Sequence, residues 1–173
     1  IDDVTSFDPA EVYEFTNGEV DNNVYLRLVV RDENDFTKIV GGAAESWKVS
    51  DDGLTFTFKM RSGLVFASGA PVTAEDAAFS LRRVVKLAMS PSFILTQLGW
   101  SKEDVDQKVK ALDAQTLQLQ LSKPFAPTFV LNALSAGVGA IVEKAAAMEH
   151  EKDGDLGHDW LRTHSAGAGA FVL

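Results

Sequence analysis

The chain contains no cysteine, and its charge is strongly one-sided. Its 173 residues include 16 Lys and Arg against 25 Asp and Glu, which gives a net charge of −9. Without cysteine the chain can form no disulfides, zinc–thiolate sites or cysteine nucleophiles. Without a cluster of basic residues it has no surface suited to displacing counterions from a phosphate backbone, so we expect no nucleic-acid partner.

Long apolar runs are also missing. The uncharged segment 124–142 has nearly the length of a membrane span, but it contains prolines, glycines and Asn132. These residues favour a buried helix, loop and strand over a spanning helix. The chain begins at Ile1 without a methionine or a charged-then-apolar leader, so we expect any secretory signal to have been removed.

A strand, turn, strand, turn, helix unit stands out in the first half. Trp47 alternates with polar neighbours, and Asp51, Asp52 and Gly53 form a typical hairpin turn. The next strand places four apolar residues on one face, namely Leu54, Phe56, Phe58 and Met60. Thr73 then has the spacing of a helix cap.

The remaining pattern predicts a mixed α/β (α+β) fold with an antiparallel-rich sheet. We predict helices near 21–28, 74–88, 126–134, 143–148 and 158–164, and strands near 28–31, 109–112, 116–121 and 140–142. The strands at 109–112 and 116–121 are predicted to pair as a second hairpin. Because strands do not alternate strictly with long helices, a doubly wound parallel sheet is not expected.

The motifs of this chain resemble a known family. They are Ala-Glu-Ser-Trp at 44–47, Ser-Asp-Asp-Gly-Leu-Thr-Phe-Thr-Phe at 50–58, Arg-x-Gly-x-x-Phe at 61–66, Gly-x-Pro-x-Thr-Ala-Glu-Asp at 69–76, Phe-Asp-Pro at 7–9 and Lys-Pro-Phe-Ala-Pro at 123–127. Together they resemble the family 5 extracellular solute-binding proteins, the dipeptide-, oligopeptide- and nickel-binding receptors of bacterial ABC importers. Ser62 and Ala170 depart from the family pattern at two turn or loop positions.

This resemblance implies a fold like that of type II periplasmic binding proteins, in which two lobes enclose the ligand. Residues 1–42 and 166–173 would then form part of the first lobe, and 43–165 a smaller inserted lobe. Family members are considerably longer, so we expect this chain to be an N-terminal fragment without the second ligand-binding lobe.

The implied function is that of a receptor subunit, not an enzyme, with no cofactor. It would capture a small peptide or peptide-like solute and deliver it to an inner-membrane ABC permease. We expect it to be periplasmic or lipid-anchored on the outer side of the cytoplasmic membrane, and not membrane-spanning. Alternatives are a family receptor for a nickel chelate, an opine or a sugar, and a ligand-free interaction module.

The resemblance also suggests which residues face the ligand. They are Tyr13, Glu14, Phe15, Ser92, Phe93, Ser135 and Gly137. For Phe15 and Phe93, ordinary core packing is an equally good interpretation. Trp100 lies in a predicted loop, where it could approach a ligand or partner. The arginine or aspartate that fixes a peptide terminus is expected outside this chain.

Catalytic interpretations find little support. The segment 163–167 approaches a nucleophile elbow but has Thr163 where glycine is needed, so a secreted hydrolase lobe remains only an alternative. The three histidines, His150, His158 and His164, do not have the spacing of a helical zinc site. We therefore predict no metal site.

Overall fold

The structure is a computed structural model that describes residues 4–173, apart from the side chain of Phe15. Its strands are β1 (Leu26–Arg27), β2 (Val29–Arg31), β3 (Ile39–Gly41), β4 (Ala44–Val49), β5 (Thr55–Met60), β6 (Val109–Ala111), β7 (Thr116–Gln120) and β8 (Ala140–Ile141). Its α-helices are α1 (Phe15–Val24), α2 (Ala74–Leu87), α3 (Phe93–Thr96), α4 (Val105–Lys108), α5 (Pro127–Ser135), α6 (Lys144–Glu149) and α7 (His158–Leu161). Within residues 4–173, none of these helices combines the length and the apolar character needed to cross a membrane.

The largest sheet has four antiparallel strands in the order β4-β5-β7-β6. The β4–β5 hairpin turns at Gly53, which has a φ of 69°, and the carboxylate of Asp52 accepts the amide N–H of Leu54 at 2.9 Å. A second hairpin joins β6 to β7, and β7 pairs with β5, so the two hairpins form one sheet. Both predicted hairpins are confirmed, as is the mixed α/β architecture with antiparallel sheets.

Helix α2 packs against this sheet. It begins at Ala74 because Thr73 and Asp76 form a capping box, in which the Asp76 carboxylate accepts the amide N–H of Thr73 at 3.0 Å. Alternation along β5 and β7 places five buried side chains in the core beneath the helix, namely Phe56, Phe58, Met60, Leu117 and Leu119. The predicted helix and its cap are confirmed.

The first helix differs from its prediction. We predicted it at 21–28, but α1 runs from Phe15 to Val24. The chain is extended at Tyr25, whose hydroxyl donates to the carbonyl of Phe7 at 2.9 Å, and β1 pairs with β8. Pairing with a distant strand therefore ends the helix early, and a local pattern cannot reveal such a partner.

Trp100 lies in a loop as predicted, but the expectation that it could approach a ligand or partner needs correction. Its side chain is only 2% exposed, and its indole N–H donates to the carbonyl of Gln120 at 2.8 Å. Burial with a satisfied indole N–H makes Trp100 a core residue that bridges to β7. It does not contact a cleft.

A buried ionic network ties the start of the chain to α2 and α7. The carboxylate of Asp8 accepts two hydrogen bonds from Arg83, at 2.7 and 2.6 Å, and lies 2.7 Å from Nδ1 of His158. Burial opposes ionisation of Asp8, but the hydrogen bonds from Arg83 and His158 outweigh it and hold the pKa of Asp8 below its usual value. The same contact with Asp8 raises the pKa of His158 against the effect of its partial burial.

The closing segment returns to the end of α1. The amide N–H of Gly169 donates to the carbonyl of Val24 at 2.8 Å, and that of Phe171 donates to Asn23 at 3.1 Å. A Cβ at Gly167 or Gly169 would collide with the backbone of this last helical turn. The glycines are therefore needed for close approach between two backbones.

Candidate ligand-binding cleft

The structure brings two of the predicted site residues into contact. Tyr13 precedes α1 and Phe93 begins α3, and their rings pack edge to face with centroids 5.7 Å apart and planes at 72°. Tyr13 is 62% exposed and Phe93 is 51% exposed. The core interpretation of Phe93 is therefore wrong, and the pair forms an exposed aromatic surface.

The other predicted residues have different surroundings. Glu14 is exposed beside Tyr13, whereas Ser92 is buried in a 3-10 turn and supports the backbone that presents Phe93. The backbone of Phe15 begins α1, but its side chain lies outside the described part of the structure. Ser135 ends α5, and its hydroxyl donates to the carbonyl of Asn132 at 2.9 Å.

Two adjoining cavities lie beside these residues. The smaller has a volume of about 190 Å³, and its walls include Val12, Tyr13, Glu14, Asp21, Pro91, Ile94 and Val138. The larger has a volume of about 870 Å³, and its walls include Arg27, Arg31, Asp32, Glu33, Asn34 and Ser135. Gly18 and Gly137 line both cavities, so the two form one cleft. Tyr13, Glu14, Ser135 and Gly137 all line this cleft, whereas Ser92 and Phe93 do not. Phe93 lies beside the cleft through its ring contact with Tyr13.

The two shared glycines place no side chain where the cavities meet. A Cβ added at Gly18 would meet no atom within 4 Å. A Cβ at Gly137 would lie 4.0 Å from Nη2 of Arg27 and 4.0 Å from Oδ2 of Asp21. Gly137 therefore lies close to both a cationic and an anionic side chain.

Asp21 and Arg27 were not predicted as site residues. Asp21 is only 1% exposed, and neither of its carboxylate oxygens has a hydrogen-bond partner in the described structure. Burial raises the pKa of Asp21 to about 7, and the charge of Arg27 opposes this only in part. Arg27 donates to Oδ1 of Asn22 at 2.5 Å, but its Nε has no partner among the described residues.

One sequence signal could have revealed Asp21. Asn17, Asp21 and Val24 recur at helical spacing, and all three are buried on the inner face of α1. Polar residues on the buried stripe of a helix need partners, so they indicate a polar site. The misplaced start of the predicted helix hid this pattern.

The histidines serve other contacts. The ring of Trp160 stacks between His150 and His164, with centroid distances of 4.3 and 4.8 Å, while His158 binds Asp8. Nδ1 of His164 lies 3.0 Å from the hydroxyl of Thr163. Among residues 4–173, no three His, Cys, Asp or Glu side chains are arranged to hold a metal ion.

A mixed α/β unit with an open cleft of aromatic and charged residues is an architecture typical of ligand-binding domains. Residues 38–173 match the model of the bacterial extracellular solute-binding proteins, family 5 middle region. The chain therefore belongs to the family 5 extracellular solute-binding proteins, and the resemblance of its motifs is confirmed.

Individual relatives agree with this assignment. The probable D,D-dipeptide-binding periplasmic protein DdpA of Escherichia coli K12 is 33% identical over 174 residues, which cover 99% of this chain and 31% of DdpA. MppA, the periplasmic murein tripeptide-binding protein of Escherichia coli, is similar in structure. Its unliganded open form superposes with a TM-score of 0.78 at 31% identity, over 97% of this chain and 33% of MppA.

A third relative was solved with a different solute. MoaA from A. tumefaciens R10, in complex with mannopinic acid, has a TM-score of 0.79 at 27% identity, over 99% of this chain and 32% of MoaA. This chain thus spans about a third of the length of the relatives it matches.

Proposed function

We propose that this chain forms one wall of the solute-binding cleft of an ABC-importer receptor, which captures peptides or peptide-like solutes and delivers them to a membrane permease. The contact between Tyr13 and Phe93 carries this proposal. An exposed aromatic pair at the mouth of a cleft provides a large apolar surface for a ligand at low conformational cost.

The charges of the cleft suit a zwitterionic solute. Arg27 and Arg31 line the larger cavity and can bind a carboxylate, while Glu14 can bind an amine. The hydroxyl of Tyr13 can hydrogen-bond to a ligand amide. A peptide has all three of these groups, and the names of DdpA and MppA describe peptide-binding proteins.

We further propose that a second lobe closes over this wall, with residues 1–42 and 166–173 in one lobe and 43–165 in a smaller inserted one. Closure would be driven by tighter binding of the solute to the closed state. The relatives named as periplasmic support a periplasmic location for this receptor, free or lipid-anchored at the outer side of the cytoplasmic membrane.

A receptor for a non-peptide solute is the second candidate. The similarity to MoaA, solved with mannopinic acid, favours a solute such as an opine over a nickel chelate or a sugar. Because the fold alone does not select the solute, only binding can distinguish this candidate from the peptide receptor.

The test is calorimetry on the complete gene product with D-Ala-D-Ala, a murein tripeptide, Ala-Ala-Ala and mannopinic acid. We expect at least one peptide to bind, and Tyr13→Ala to weaken its binding while the control Leu112→Ala does not, because Tyr13 lines the smaller cavity. Leu112 is similarly exposed, at 55%, but lies outside the cleft. Binding of mannopinic acid alone would favour the second candidate, and equal effects of the two variants would reject the cleft.

A further inference from the structure

The unpartnered carboxylate of Asp21 is unusual because it does not stabilise the fold. It is 1% exposed and makes no hydrogen bond within the described residues. Removing a carboxylate from water without a partner is unfavourable, so such groups are retained mainly where they bind something. The same helix buries a second unsatisfied atom, Oδ1 of Asn17.

The carboxylate borders the smaller cavity. That cavity of about 190 Å³ is lined by two acids, Asp21 and Glu14, by the aromatic ring of Tyr13 and by apolar side chains, but by no basic residue. It is smaller than a pocket for a whole ligand, which takes about 300–1,000 Å³. A single side chain or terminal group of a larger solute is the size of occupant that it fits.

The larger cavity has a mixed character. Arg27 and Arg31 line it together with Asp32 and Glu33, and a Cβ at Gly137 would lie 4.0 Å from both Nη2 of Arg27 and Oδ2 of Asp21. A solute that extends past Gly137 from the smaller cavity would therefore leave the carboxylate of Asp21 and meet the guanidinium of Arg27. The order of these two charges gives the cleft a direction.

We infer that the smaller cavity is a subsite for the cationic group of the solute, a primary ammonium or a guanidinium, with Asp21 as its counter-charge. The inference rests on the proposed receptor function and adds the chemical class and orientation of the solute. Glu14 attracts the cation from the wall of the cavity, and the ring of Tyr13, which Phe93 supports by an edge-to-face contact, supplies a face that favours a cation. The anionic part of the solute then points past Gly137 towards Arg27.

The test compares three peptides by calorimetry on the complete gene product. Ala-Lys-Ala has two cationic groups, Ala-norleucine-Ala lacks the side-chain ammonium, and N-acetyl-Ala-norleucine-Ala lacks both. We expect the loss of one of these cations to weaken binding to the wild-type protein by about tenfold or more. In Asp21→Asn that loss should have an effect of at most about twofold.

Controls separate charge from structure. Asp51→Asn removes an exposed acid in the β4–β5 turn, outside the cleft, and should keep the wild-type preference. Asp21→Ala provides a second variant, and melting without ligand checks the fold of each. The inference is wrong, while the receptor function stands, if peptides bind but the affinity of the wild type is the same with and without each cation. It is also wrong if Asp21→Asn and Asp21→Ala still bind the cationic peptides more tightly. If no peptide binds the wild type, the peptide receptor function fails, and the inference fails with it.

Discussion

Arg83 and Asp8 face each other as a bidentate pair, with Nη1 2.7 Å from Oδ1 and Nη2 2.6 Å from Oδ2. The Arg83 side chain is 2% exposed and that of Asp8 is fully buried. Nε of Arg83 donates to the carbonyl of Leu156 at 2.8 Å, so each of the three guanidinium nitrogens donates a hydrogen bond. The pair holds the segment that leads to Tyr13 against α2, and it therefore positions one wall of the cleft.

Breaking this pair on one side should destabilise the protein strongly. We expect Arg83→Met to lower the free energy of unfolding by about 3–5 kcal/mol, because Asp8 is left buried without its partner. Asp8→Asn should have a smaller effect, and the double variant should be less destabilised than the sum of the two single ones. Urea unfolding measures all three. Additive effects would show that the pair is not coupled.

The same network should make stability depend on pH in two directions. The pKa of Asp8 is lowered from 3.8, so its contribution is present above that value and is lost as the pH falls through the folded pKa. The pKa of His158 is raised from 6.5, so its contribution is complete below that value and is lost as the pH rises through the folded pKa. In urea titrations His158→Asn should abolish the second loss, and it should reduce the first without removing it, because Arg83 still lowers the pKa of Asp8. An unchanged decline at high pH would contradict this assignment.

The ionisation of Asp21 should change the stability with pH in the opposite direction to that of Asp8. Its pKa is raised from 3.8 to about 7, so its contribution to stability is present below about pH 4 and is lost as the pH rises through about 7. Asp21→Asn should therefore be more stable than the wild type at about pH 8, by up to about 4 kcal/mol. The two stabilities should converge near about pH 4. Greater wild-type stability at the higher pH would mean that Asp21 has a partner in the fold.

Two substitutions of Tyr13 separate the contribution of its ring to solute binding from that of its hydroxyl. Tyr13→Ala should weaken solute binding by about 1–3 kcal/mol, the range for a truncated aromatic anchor. Tyr13→Phe should lose only the hydrogen bond of the hydroxyl, about 0.5–1.5 kcal/mol. Because Tyr13 is 62% exposed, neither variant should lower the melting temperature without ligand. A ligand-induced rise in melting temperature that is equal in all three proteins would exclude Tyr13 from the site.

The sequence was sufficient where the interactions are local. The turn at Gly53 and the capping box of Thr73 and Asp76 depend on neighbouring residues, and the alternation along β5 and β7 identifies their buried face. The sequence was insufficient where a partner far away along the chain determines the local structure. The end of α1 depends on the pairing of β1 with β8, and the burial of Trp100 depends on the carbonyl of Gln120.

The candidate site shows the same division. The family resemblance pointed to Tyr13 and Phe93, which the structure brings into contact, although their role in binding remains a prediction. It did not point to Asp21, whose environment arises from the packing of α1 against the loop at Gly137. Helical spacing can place Asp21 on the inner face of α1, but the lack of a partner for its carboxylate is a property of the packed structure that the sequence does not show.

The backbone contact between the closing segment and α1 has a mechanical consequence. Gly169 and Phe171 donate to the carbonyls of Val24 and Asn23, in the helical turn that follows Asp21. Tension on the closing segment is therefore transmitted to α1 through two hydrogen bonds, without a change in the four-stranded sheet. These two bonds therefore fix the position of the closing segment relative to the helix that carries Asp21.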